Sequence, residues 1–203
     1  GQRAFVGRVA MDHPEGTPDW YRDADATAAI DASRRSIDEI RAIGSELVEP
    51  IITPRFIPAC TDETLRGLGE LAAETGVRVQ THCSESDWEH GYVIERHGMT
   101  DAEALDGFGL LREHTVLAHG DFLSDTNFEL LQSTGAGVAH CPLSKAYFGN
   151  AVFPARRALD AGVRMGLGTD IAGGAEPGIL AQCAHAVTAS RYLEDGVDAA
   201  KDA

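Results

Sequence analysis

With 203 residues and 43% hydrophobic content, the chain can bury a substantial core, and its length fits one domain or a large piece of one. A formal net charge of -15 argues against binding nucleic-acid backbone or an anionic membrane surface, both of which reward clustered Lys and Arg, so a small neutral substrate is the expected partner. Cys60, Cys83, Cys141 and Cys183 form no CxxC pair, so neither a thiolate zinc site nor a disulfide framework is indicated, and a reducing cytoplasm is the expected home.

Arg3 to Met11 is strand-like and leads into a Pro/Gly/acidic loop, His13 to Asp23, expected to face solvent. From Asp25 to Ile43, Ile30, Ser33, Ile37 and Ile40 recur at the helical period, and Gly44 supplies the stop. Val48 to Phe56 reads as the next strand, with Pro54 near its end, where a missing N–H is tolerated. Thr61 to Thr75 is a helix whose stripe is Leu65, Leu68, Leu71 and Ala72, closed by a left-handed Gly76. The strand from Val77 ends in His82, Ser84 and Glu85. Ser84 stands three residues before Asp87 and is expected to cap the helix Asp87 to His97, and Thr100 with Glu103 repeats the device.

A strand ending at His119 follows, then a helix from Asp125 to Ser133 stopped by Gly135. Ala136 to His140 is a strand, Ala151 to Ala161 a helix with Pro154 in its first turn, and Val163 to Thr169 the last strand. Ile179 to Tyr192 closes the pattern as a helix, before an acidic, Ala-rich tail expected to fray. No apolar run approaches the roughly 20 residues of a membrane span, and no signal peptide opens the sequence.

Strand and helix alternate about six times, the pattern of an α/β parallel sheet with right-handed crossovers. An open sheet binding a nucleotide would usually carry GxGxxG or GxxxxGK[ST], and neither occurs. Polar groups at the ends of several strands favour a TIM-type (β/α)8 barrel, whose site lies at that face. A closed barrel has eight strands, so a partial barrel is expected, with about two βα units missing. Gly1 in place of Met points the same way.

His82, His119, His140 and Asp170 stand at four strand ends and are ligand types suited to zinc or iron. Each alone has a plain alternative as a polar residue satisfied within the fold. Repetition at four strand ends, with Glu85 beside one, favours a metal or acid/base site. His13, His90, His97, His114 and His185 fall on loops or helices and are expected at the surface.

The runs Thr81-His82-Cys-Ser-Glu85, Ala118-His119-Gly, His140-Cys-Pro-Leu-Ser and Gly166-Leu-Gly-Thr-Asp170 resemble the second half of the metal site of the amidohydrolase superfamily. The opening Gly1-Gln-Arg-Ala-Phe-Val-Gly-Arg-Val-Ala-Met, the run Thr53-Pro-Arg55-Phe56 and the run Gly168-Thr-Asp170-Ile-Ala-Gly-Gly174 are similar to its guanine deaminase branch. The resemblance extends from Gly1 to about Arg191. It implies one zinc ion per active site, iron being possible, with His82 and Asp170 as ligands and His119 hydrogen-bonded to the reacting water or substrate. Zinc lowers the pKa of a bound water toward about 7. Asp170 would accept the water's proton, and Glu85 would protonate ring N3 of guanine and assist the departure of ammonia, leaving xanthine.

By the same resemblance Arg55, Phe56, His82, Glu85 and Asp170 border the purine. Arg55 would offer a fork of donors to the carbonyl and Phe56 an apolar face. A structural salt bridge and a core aromatic are the alternatives for this pair. Cys83 and Cys141 would point away from the site, because neighbouring strand residues alternate. The sequence departs from the superfamily pattern in lacking a His-x-His pair, and Lys145 stands where many relatives carry Asn. The first departure implies an internal fragment of about barrel strands 3 to 8, lacking the flanking β-sandwich. The full-length protein is expected to be a homodimer. A sister deaminase acting on another purine, a pterin or a triazine is the neighbouring reading; a barrel that has lost catalysis and serves in binding or assembly is the more distant one.

Overall fold

A computed structural model describes residues 1–148 and 151–193. Strands β1 (Ala4–Val6), β2 (Val9–Ala10), β3 (Val48–Pro54), β4 (Arg78–Cys83), β5 (Thr115–His119), β6 (Gly137–His140) and β7 (Arg164–Leu167) form one sheet in the order β1-β3-β4-β5-β6-β7, with β2 also on β3. Every pairing is parallel. Sequential parallel strands with helices between them are the pattern of part of a (β/α)8 barrel.

The helices are α1 (Ala26–Ala42), α2 (Asp62–Thr75), α3 (Asp87–His97), α4 (Asp101–Gly107), α5 (Asp125–Thr134), α6 (Ser144–Phe148), α7 (Ala155–Asp160) and α8 (Ile179–Leu193). Their starts follow the local chemistry. Asp25, Thr61, Ser86, Thr100 and Ser124 each accept from a first-turn backbone N–H, an interaction worth about 1 kcal/mol. Gly76, Gly98 and Gly135 end α2, α3 and α5 in the left-handed conformation. The stripe of α2, Leu65, Leu68, Leu71 and Ala72, is buried against the sheet residues Ile52, Val79 and Leu117 in a single core. Each such leucine contributes about 1.5–3 kcal/mol of transfer free energy.

Several expectations are corrected. The strand from Arg3 to Met11 is two short strands, because Gly7 packs so close to β3 that a Cβ there would lie 2.0 Å from the Ile51 carbonyl oxygen. Arg8, beside it, turns to pair with Asp23. The cap of α3 is Ser86, not Ser84; Ser84 has a left-handed backbone, φ 51°, and belongs to the turn that leaves β4. The helix expected over 151–161 begins only at Ala155, with Pro154 as its cap, because the chain first buries Phe153 completely. The short helix α6 was not foreseen. His90 and His97 are not surface residues: His90 pairs with the buried Asp101 at 2.7 Å, and His97 lies edge-on to Phe108. The frayed tail falls outside the described residues. Among the described residues no helix is long and apolar enough to cross a membrane.

Candidate active site

Parallel register sets the ends of β4 and β5 side by side, with His82 opposite Ala118 and Cys83 opposite His119. The His82 ring lies on the half-open inner face of the sheet, while Cys83, the next residue, is buried in the core. Simple alternation would send His119 to the core side with Leu117. The left-handed backbone at His119, φ 75°, takes it out of alternation, and its ring stacks on that of His82 with centroids 5.4 Å apart. The Ser84 turn projects Glu85 back over the strand ends, where its Oε1 lies 3.6 Å from His119 Nε2.

His82, Glu85 and His119 thus offer ligand atoms all within 4.8 Å of one another, the only such group of His, Cys, Asp and Glu found among the described residues. The tautomer of His82 is set by its neighbour: Nδ1 lies 2.7 Å from the Arg55 carbonyl oxygen, which can only accept. Its Nε2 is therefore free of a proton in the neutral ring and open to a ligand. The donor set fits a borderline metal such as zinc. Burial, then the charges of Lys145 and His82, lower the pKa of His119 to about 3, so its imidazole is neutral. Its Nδ1 is buried without a hydrogen-bond partner.

Asp170, just beyond β7, also has a left-handed backbone, φ 48°. Its charge acts on His119, but it stands outside the close group of three. His140, at the end of β6, is buried and packs on Phe153 at 5.1 Å between ring centroids. Left-handed non-glycine residues at three strand ends, Ser84, His119 and Asp170, are the conformational strain that sites commonly hold.

Arg55 and Phe56 follow β3 directly. Among the described residues Arg55 forms no ion pair with a carboxylate; its Nη1 donates to Met11 Sδ at 3.6 Å and its guanidinium lies 5.3 Å from the Phe56 ring centroid. Phe56 is half-buried rather than part of the core, with its centroid 6.4 Å from that of His82 and 6.3 Å from that of Trp88. Trp88, 57% exposed in the first turn of α3, extends this aromatic edge and was missed in the sequence, although an exposed Trp three residues after Glu85 was a usable signal. Lys145 and Asp121 were also given no role, yet both are buried beside Glu85. A hollow at the opposite end of the strands is lined by Val48, Val77, Arg78 and His114. The chemical cluster stands on the open inner face.

Residues 1–202 match the model of the Amidohydrolase family. The chain is 39% identical over 197 residues to a probable guanine deaminase of Schizosaccharomyces pombe, covering 95% of this chain and 37% of that protein. It is 37% identical over 170 residues to a 5-methylthioadenosine/S-adenosylhomocysteine deaminase of Pyrococcus furiosus, covering 84% of this chain and 39% of that one. The crystal structure of guanine deaminase from C. acetobutylicum with guanine bound in its active site superimposes with a TM-score of 0.90 at 30% identity, over 97% of this chain and 46% of the other. The chain therefore spans less than half the length of these relatives.

Proposed function

Since the chain belongs to the amidohydrolase family, we propose that it is part of a guanine deaminase, which hydrolyses guanine to xanthine and ammonia. The observation that carries this reading is the convergence of His82, Glu85 and His119 at adjacent strand ends, with Arg55 and Phe56 beside them. Similarity to two guanine deaminases supports the substrate.

His82 and Asp170 are the residues we assign to a zinc ion. Two protein ligands are fewer than a catalytic zinc site uses, so the others would come from sequence outside these 203 residues. When bound, zinc makes water a nucleophile near neutral pH and polarises the substrate. The chain's own groups do the rest. Asp170 accepts the proton of the attacking water as a C–O bond forms at C2 of guanine. Neutral His119 orients that water by a hydrogen bond. Glu85 delivers a proton to ring N3 and then assists departure of the amino nitrogen as ammonia, when the C2–N bond breaks. Arg55 donates to the purine carbonyl, and Phe56 packs on the ring.

The Pyrococcus relative favours a second reading, a deaminase of adenine-type nucleosides. It would use the same proton carriers but would have no purine carbonyl for Arg55 to meet. The full-length protein should be assayed for ammonia release from guanine, 5-methylthioadenosine and S-adenosylhomocysteine, with its metal content measured. Turnover of guanine alone, with zinc bound, is expected; turnover of only the adenine compounds would overturn the assignment. The proposal carries with it a cytoplasmic location, in keeping with four free cysteines, and a homodimer that sedimentation would test.

A further inference from the structure

The turn that presents Glu85 is held at every backbone polar atom from Cys83 O to Glu85 O. Gly120 N donates to Cys83 O at 2.9 Å and Asp121 N to Ser84 O at 3.0 Å. Ser84 N donates to Asp101 Oδ1 at 3.3 Å, and Glu85 N to Glu89 Oε2 at 2.8 Å. The last position, Glu85 O, accepts from Lys145 Nζ at 2.9 Å, across a sequence separation of 60 residues. Lys145 alone among these partners also reaches the Glu85 carboxylate, with Nζ 3.4 Å from Oε1.

Its third neighbour is Asp121 Oδ2 at 2.9 Å. The Lys145 side chain is 3% exposed and that of Asp121 0%. An ammonium can donate three hydrogen bonds; here it donates one to the Glu85 carbonyl and stands within ion-pair distance of the Glu85 and Asp121 carboxylates. Burying such a pair is weak evidence for stability, because well-packed apolar residues often serve as well. Its geometry has a clearer use. Asp121 holds the ammonium, and the ammonium holds both the main chain and the side chain of Glu85.

We propose that Lys145 is a positioning residue for Glu85, anchored by Asp121 and fixing the carboxylate that carries the proton. The catalytic part of this inference rests on the guanine deaminase reading. Misplacing a reacting group by about 1 Å can cost about 10²-fold in rate, and that is the scale expected. Lys145→Met alone would strand the buried charge of Asp121, so the informative variant is Lys145→Met/Asp121→Leu, which removes both charges at similar volume.

In the full-length protein, the double variant should keep its zinc content and its KM for guanine while kcat falls about 10²-fold. Unchanged kcat in the folded double variant would overturn the proposal, and so would loss of zinc together with kcat, which would mark a purely structural role. A crystal structure of the same variant gives a readout without turnover: the Glu85 carboxylate should leave its place beside His119, and an unmoved carboxylate would sink the idea. If the wild-type protein releases no ammonia from guanine, the functional reading fails, and the structural arm still decides whether Lys145 places Glu85.

Discussion

His82 Nδ1 donates to the main-chain carbonyl of Arg55 at 2.7 Å, so the residue proposed to read the purine also fixes the free nitrogen of the residue proposed to hold the metal. The link runs through the Arg55 backbone, while its exposed guanidinium touches Met11 Sδ and the Phe56 ring and pairs with no carboxylate among the described residues. Side-chain replacement should therefore separate the two roles. Arg55→Lys keeps the charge but loses the planar fork, and a charge-assisted hydrogen bond is worth about 1.5–3 kcal/mol. KM for guanine should rise about 10-fold or more with metal content unchanged. Unaltered kinetics with a lowered Tm would make Arg55 structural.

His82→Ala tests the other half of that link. The ring is half-exposed and outside the main core cluster, so the fold should survive while the metal is lost. Even loss of an outer-shell partner commonly weakens metal binding 10-fold to 100-fold, and loss of a ligand should exceed this. Zinc measured after dialysis of the folded, full-length variant should be well below one per chain. Retained stoichiometric zinc would remove His82 from the ligand set.

Glu85→Gln keeps size and the backbone bonds of the turn but cannot carry a proton. A fall in kcat of about 10²-fold to 10⁴-fold is expected with zinc retained, the usual scale for losing general acid/base help. Near-normal turnover would rule out Glu85 as the proton carrier.

The repeating architecture was legible because strand ends, caps and glycine stops are local signals. Gly76 and Thr100 did what their chemistry dictates. The site was only partly legible. His82 and Glu85 could be read from one stretch, but the orientation of His119 depends on a left-handed φ that alternation does not foretell. Lys145 was visible as an unusual residue, yet its meaning depends on Glu85 and Asp121, 60 and 24 positions away, meeting it in three dimensions. Ser84 was misread as a cap for the same reason: its spacing to Asp87 suits a cap, but its backbone is committed to the turn held by Asp101 and Asp121.

Glu89 supplies a pH test of that turn. Burial, then the neighbouring Asp101 carboxylate, push its carboxyl up to about 8, against about 4.3 for a free glutamate. Between those values the folded protein holds a proton that the unfolded chain releases. The folded state binds more protons there, so this group's contribution favours folding at low pH and declines as pH rises toward 8. Glu89→Gln retains a carbonyl able to accept from Glu85 N but has no proton to lose. The variant should gain little over wild type near pH 5 and be more stable near pH 8, by an amount on the order of a few kcal/mol. Thermal melts of both full-length proteins at the two pH values measure the difference. Parallel pH dependences would show that Glu89 folds already ionised.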